Sequence, residues 1–157
     1  MPDFSSEAEL KSYILKRTQV AVNNVADRVY DIIHEVLEKF YAYEPDYYIR
    51  TERLLKSLVK TRAVPDGDGY TAEIYFDVGK LDYPVGEVDI KKPFPNGKDY
   101  GYATWSGENV LNAAMSGSGT VTWRNQTAVW DESFPKIDGK AIDMLVKELS
   151  AAGVPLQ

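Results

Sequence analysis

The chain has 157 residues, 44% of them hydrophobic, with 18 basic against 24 acidic side chains and a net charge of −6. It has no cysteine and one histidine, His34. That excludes a disulfide framework, thiolate metal sites, iron–sulfur clusters, a cysteine nucleophile and multi-histidine metal sites. The acidic balance argues against a nucleic-acid binder acting through overall basicity. Residues 1–63 carry 10 basic and 10 acidic side chains, whereas 64–157 carry 8 and 14, so the whole excess lies in the second part. The length predicts one domain, 1–157. No apolar run approaches the roughly 20 residues of a membrane span, and the polar start, Met1 to Glu9, is unlike a signal peptide.

Ser6 and Glu9 form a capping-box pattern ahead of a long helix predicted over 6–41. Its apolar stripe runs Leu10, Ile14, Thr18, Ala21, Val25, Val29, Ile32, Val36 and Phe40, in steps of three and four. About 35 residues at about 1.5 Å each make about 50 Å, longer than the about 40 Å diameter expected of the whole domain. Either the helix breaks, with Asn23-Asn24 the weakest point, or it overhangs and is buried against another subunit.

Residues 47–78 read as a turn or short helix over Thr51 to Ser57 and then a β-hairpin. Its strands are Leu58 to Val64 and Tyr70 to Val78, joined at Pro65-Asp66-Gly67-Asp68-Gly69. Residues 79–126 form an extended loop insertion, punctuated by Pro84, Pro93, Pro95 and several glycines. It contains a short helix from Gly107 to Met115, starting near Ser106, and a strand at Thr120 to Trp123. In 127–157, Thr127 to Trp130 is expected as a strand. Gly139 to Ala152 follows as an amphipathic helix, with Ile142, Leu145, Val146 and Leu149 inward and Gly153 closing it. The fold class is therefore α+β: a long N-terminal helix and a C-terminal helix packed on a small, mainly antiparallel sheet, with a long irregular central loop containing a short helix.

Chemistry-bearing groups are sparse. His34, three residues after Asp31 and four before Glu38, fits a partly packed histidine paired with an acid. No Gly-x-Ser-x-Gly elbow accompanies it. Ser116-Gly117-Ser118-Gly119 lacks the Lys-Ser/Thr of a phosphate loop. The acidic pairs Asp66/Asp68, Glu87/Asp89 and Asp131/Glu132 are explained by turn chemistry, although a glycosidase also needs two carboxylates. Trp105 and Trp123 with Tyr83, Tyr100 and Tyr102, and Trp130 nearby, suit core edges or protein interfaces. With the acidic pairs, Trp105 and Trp123 also allow an alternative, a monomeric carbohydrate-binding or hydrolytic domain. Arg50, Arg53, Lys56, Lys60 and Arg62 form the local positive field. They suit an acidic patch on a second copy, solvent, or DNA. No catalytic, cofactor or metal residue is assigned.

The order of the pieces carries a resemblance. After the long helix come Arg50-Thr51-x-x-Leu54-x-x-Ser57, the hairpin, Trp105-Ser106-Gly107-Glu108, and Ala113-Ala114-Met115-x-Gly117-Ser118. Val129-Trp130-Asp131-Glu132 and a closing helix ending in Ala152-Gly153-Val154-Pro155 complete it. This resembles the small tail-component proteins of long-tailed bacteriophages, the head–tail joining or tail-completion group of the neck, in its Gram-positive-phage form. One departure is that Gly119-Thr120 stands where such proteins often carry a His-Gly pair.

The resemblance implies a non-enzymatic virion protein without cofactor, assembled in the host bacterial cytoplasm. It implies an oligomeric ring joining the capsid connector to the tail, and partners among connector, tail-terminator or tail-tube proteins. Passive DNA contact in the channel is a further implication; a membrane is not. Within the structural motif Thr51, Leu54, Ser57 and Trp130, the Arg50-Thr51-x-x-Leu54-x-x-Ser57 stretch would be a hinge between helix and sheet, with Thr51 and Ser57 capping or closing turns. Arg50, Arg53, Lys56, Lys60, Arg62, Tyr83, Tyr100, Trp105 and Trp123 would face neighbouring subunits or partners.

Overall fold

The computed structural model describes residues 3–42, 52–82, 106–116 and 128–154. These fold as an α+β protein. Helix α1 spans Glu7–Ala42, 36 residues without a break at Asn23-Asn24. Ser6 Oγ accepts the Glu9 N–H at 3.2 Å, one half of the capping box. The return bond shifts by one residue. The Glu9 carboxylate accepts from the Ser5 hydroxyl at 2.7 Å and from the Ser5 N–H at 2.9 Å. Those two donors, the hydroxyl first, hold the Glu9 carboxyl below its ordinary pKa.

Helix α2, Arg53–Ser57, runs directly into strand β1, Leu58–Lys60. Then come β2, Val64–Asp66, β3, Gly69–Thr71, and β4, Ile74–Phe76. The expected single hairpin is thus two short ladders, with β1 paired to β4 and β2 paired antiparallel to β3. The reason lies in the register. Residues 61–63 on one arm face only 72–73 on the other, so one extra residue interrupts the pairing as a bulge does. Thr61 holds the bulge on one side, donating its N–H to Glu73 O at 2.8 Å and accepting the Glu73 N–H on Oγ1 at 2.9 Å. Gly67, at φ 58°, makes the tight turn between β2 and β3.

Past β4 the chain forms a 3-10 turn, Val78–Leu81, at the start of the expected loop insertion. Helix α3 is Gly107–Ser116, as the sequence predicts. Ser106 Oγ accepts the Asn109 N–H at 3.3 Å, the cap the sequence placed there. A strand was expected at Thr127 to Trp130; of these residues Val129 and Trp130 instead begin helix α4, Val129–Ile137, and Thr127 lies outside the described residues. Val129 and Ser133, four residues apart, are its buried stripe, so a helical period overrides the β-prone composition.

Helix α5 spans Ala141–Ala151 and starts after Gly139, whose φ of 69° belongs to the preceding turn. Gly153, at φ 77°, ends it: its N–H donates to Ser150 O and the Val154 N–H to Leu149 O, both at 3.0 Å. This is the paired C-cap expected of a glycine just past a helix. The strand expected at Thr120 to Trp123 and the Glu44-Pro45-Asp46 turn lie outside the described residues.

The chain falls into two compact units. A hairpin unit holds α1 up to Asp31, Lys60–Ile74 and the chain from Lys136 onward; a helical unit holds Ile32–Val59 and Tyr75–Pro135. The helical unit has the large buried side chains: Val36, Leu37 and Phe40 on α1, with Leu54, Leu58, Leu81, Val110 and Val129. In the hairpin unit the buried hydrophobics among the described residues are Ala21, Ala26, Ala63 and Val154. Helix α5 buries no residue. Ile142 is 72% exposed and Val146 is exposed too, so two residues expected inward face outward.

Candidate functional site

In the hairpin unit, α1, the strand region and α5 enclose an open apolar groove of about 320 Å³. Helix α1 supplies Val22, Val25 and Val29, one turn apart on a single face, together with Ala26. Ala72, a bulge residue, and Ile74 come from the strand region, and α5 gives Ala141, Ile142 and Leu145. Three of these nine residues are alanines, which is why space is left between the branched side chains.

Polar contacts fix the walls of the groove. On α1, Asn23 Oδ1 accepts the Ala63 N–H at 2.8 Å, and Gln19 Nε2 donates to Ala63 O at 3.2 Å. Both backbone groups of the buried bulge residue are therefore satisfied from the helix. Asn23, expected as the weak point of the helix, brackets the bulge. On the other wall, Asn24 Nδ2 donates to Glu148 Oε2 at 2.8 Å, and Arg28 pairs with Oε1 of the same carboxylate, tying α5 to α1. Lys60 pairs with Asp27, and its ammonium sits 4.8 Å from the centre of the Tyr30 ring.

The predicted positive field does not stand free. Arg53 donates to the carbonyl of Asp82, Lys56 pairs with Glu52 at 3.3 Å, and Lys60 is held by Asp27. Arg62 is exposed. Arg50, Thr51, Tyr83, Tyr100, Tyr102, Trp105 and Trp123 lie outside the described residues, as do Glu87 and Asp89. Leu54 and Ser57 are buried, and the Ser57 hydroxyl donates to Leu54 O at 2.7 Å where α2 becomes β1. His34 Nδ1 lies 3.6 Å from Glu38 Oε1, the acid four residues on. Asp66 accepts the Thr71 hydroxyl at 2.8 Å, which is turn chemistry.

Trp130 lies on α4. It is 49% exposed, stacked at a tilt on Phe134, itself 41% exposed, with ring centroids 5.0 Å apart. The two share the outer face of α4 with Asp131, while Val129 and Ser133 face in.

Several positions escaped the sequence reading. Asp82 Oδ1 accepts the Gly107 N–H at 2.7 Å and so caps α3 from a distant segment. A Cβ on Gly107 would lie 2.2 Å from Val78 O and 2.9 Å from Val78 Cγ1, so only glycine lets α3 meet the 3-10 turn. Glu52, the N-cap residue of α2, has φ 57°, a left-handed conformation costly for a side chain of this kind. Nothing local in the sequence marks these residues, because the partners in space are distant in the chain or the constraint is a backbone angle.

Among the described residues, no cluster of three acidic or histidine side chains could hold a metal ion, and no helix is long and apolar enough to cross a membrane. No protein-family profile, curated protein or solved structure matches this chain.

Proposed function

We propose that the chain is a structural virion protein of the bacteriophage neck. In this reading it forms an oligomeric ring that joins the capsid connector to the tail, and it performs no catalysis. The observation that carries the assembly part is the apolar surface of the two C-terminal helices. In the helical unit Trp130 and Phe134 on α4, and in the hairpin unit Ile142 and Val146 on α5, are large hydrophobics left exposed, and the groove of the hairpin unit has no polar side chain to orient a small molecule. The place in the neck rests on the order of motifs along the chain.

Engagement of Arg53, Lys56 and Lys60 within the chain favours this reading over DNA binding through that cluster. The test is antibody labelling of purified tailed particles, together with particles made without the gene. Label at the head–tail junction, and separate heads and tails without the gene, are the expected results. Intact, unlabelled particles would overturn the proposal.

A further inference from the structure

Helix α5 carries its own match for a second copy. Its outer face holds Ile142, 72% exposed, and the exposed Val146 one turn on. The charged residues between 138 and 151 are Asp138, Lys140, Asp143, Lys147 and Glu148. Glu148 is taken up by Arg28 and Asn24. The other four are exposed, and none of their side chains is paired among the described residues. Their order is self-complementary about Ile142. The base Lys140 stands two residues before it and the acid Asp143 one after; the acid Asp138 stands four before and the base Lys147 five after. Reversing the chain direction at Ile142 therefore sets each charge opposite one of the other sign. Lys140 already has helical backbone angles. At about 100° per residue, Lys140, Asp143 and Lys147 lie within about 60° of one another on one flank of the helix. The other flank holds Leu145, at the apolar groove.

We propose that α5 of one copy packs antiparallel on α5 of a second copy, about a two-fold axis at Ile142. The same patch then serves both copies, and Ile142 meets Ile142. An axis of this kind brings like flanks together. Lys140 faces Asp143 of the second copy and Asp138 faces Lys147, each contact made twice, while on the other flank apolar surface meets apolar surface. A parallel pair, about an axis along the helices, would instead lay the charged flank of one helix on the apolar flank of the other. The face is small beside the about 1,200 Å² at the low end of stable interfaces, so the pair is weak and builds with concentration. A two-fold contact closes on itself at two copies, so the pair belongs to the free chain and does not depend on the proposed ring.

The absence of cysteine makes the axis easy to trap. Ile142→Cys is oxidised mildly, with the exposed Ser150→Cys as control. Ser150 is eight residues from the axis, so at about 1.5 Å per residue its two copies lie about 24 Å apart in the pair. A covalent dimer of Ile142→Cys and none of Ser150→Cys is expected. In sedimentation across a range of concentrations, Asp143→Lys weakens pairing about tenfold, because two small contacts turn repulsive in every pair. Adding Lys140→Asp to it restores the parent's affinity, since the two signs are then exchanged on both sides of the axis. A doubly substituted chain that pairs no better than Asp143→Lys alone, or Ser150→Cys linking as readily as Ile142→Cys, would overturn the pair. So would a parent of single-chain mass at every concentration. Larger assemblies indifferent to these substitutions would overturn this contact and leave the proposed ring standing.

Discussion

The two units of this chain use apolar residues differently. The helical unit buries branched and aromatic side chains completely: Val36, Leu37, Leu81 and Val129 are at most 1% exposed. The hairpin unit buries alanines and one valine among its described residues, and it relies on side-chain bonds to backbone and on ion pairs between α1, the bulge and α5. Its larger hydrophobics, apart from Val154, are at most half-buried, some lining a groove and Val20, Val64, Ile142 and Val146 standing exposed. Similar amphipathic helices thus end in two conditions, because a stripe is buried only where another element covers it. Where none does, the same pattern stays exposed to solvent, and the proposed association would cover it.

The sharpest way to break this contrast is to truncate one side chain in each unit. Leu37→Ala should cost about 2–5 kcal/mol, whereas Ile142→Ala should stay within about 0.5 kcal/mol, both read by denaturant unfolding. Equal losses would erase the distinction. Gly107→Ala tests the tightest approach in the helical unit; with the Val78 carbonyl 2.2 Å from the new Cβ, it should cost about 1–3 kcal/mol or more.

In the hairpin unit, Asn23→Ala leaves the buried Ala63 N–H without its acceptor, for a loss of about 1–3 kcal/mol. Amide exchange at Ala63 should rise with it. Glu52→Gly should stabilise by about 0.5–1 kcal/mol, because relief of the left-handed angle outweighs the exposed Lys56 pair. A melting temperature that falls would remove strain at Glu52 from the account.

The smallest effect is a pH dependence at Glu9. Its folded pKa is lowered, so its contribution is present above the unfolded carboxylate pKa and is lost as pH falls through the folded one. An NMR titration of the Glu9 carboxylate should therefore show a midpoint below that of an unstructured glutamate, moving up in Ser5→Ala.

Much of the fold was legible because it depends on local patterns. The three- and four-residue steps from Leu10 to Phe40 marked α1, Ser106 marked the start of α3, and Gly153 marked the end of α5. What escaped depends on partners distant in the chain. Asn23 reads as a weak helix former until Ala63 is beside it, and the hairpin reads as continuous until the extra residue at 61–63 is counted against 72–73. Val129-Trp130 looks like strand because its residues are β-prone, yet the buried pair Val129 and Ser133 has a helical spacing. For the site, the sequence picked out Trp130 but not its exposure, since a stripe's period does not say whether anything lies against it. It grouped Arg53, Lys56 and Lys60 as a positive field without showing their partners within the chain, Asp82, Glu52 and Asp27.

The central claim is that the uncovered apolar face of the hairpin unit serves association and not folding. Ile142→Asp tests it most directly, with its sedimentation and its melting curve compared with those of the parent chain across a range of concentrations. The account predicts an unchanged melting curve for the single chain, and a mass that no longer rises with concentration as the parent's does. A variant that melts early while still associating like the parent would contradict it.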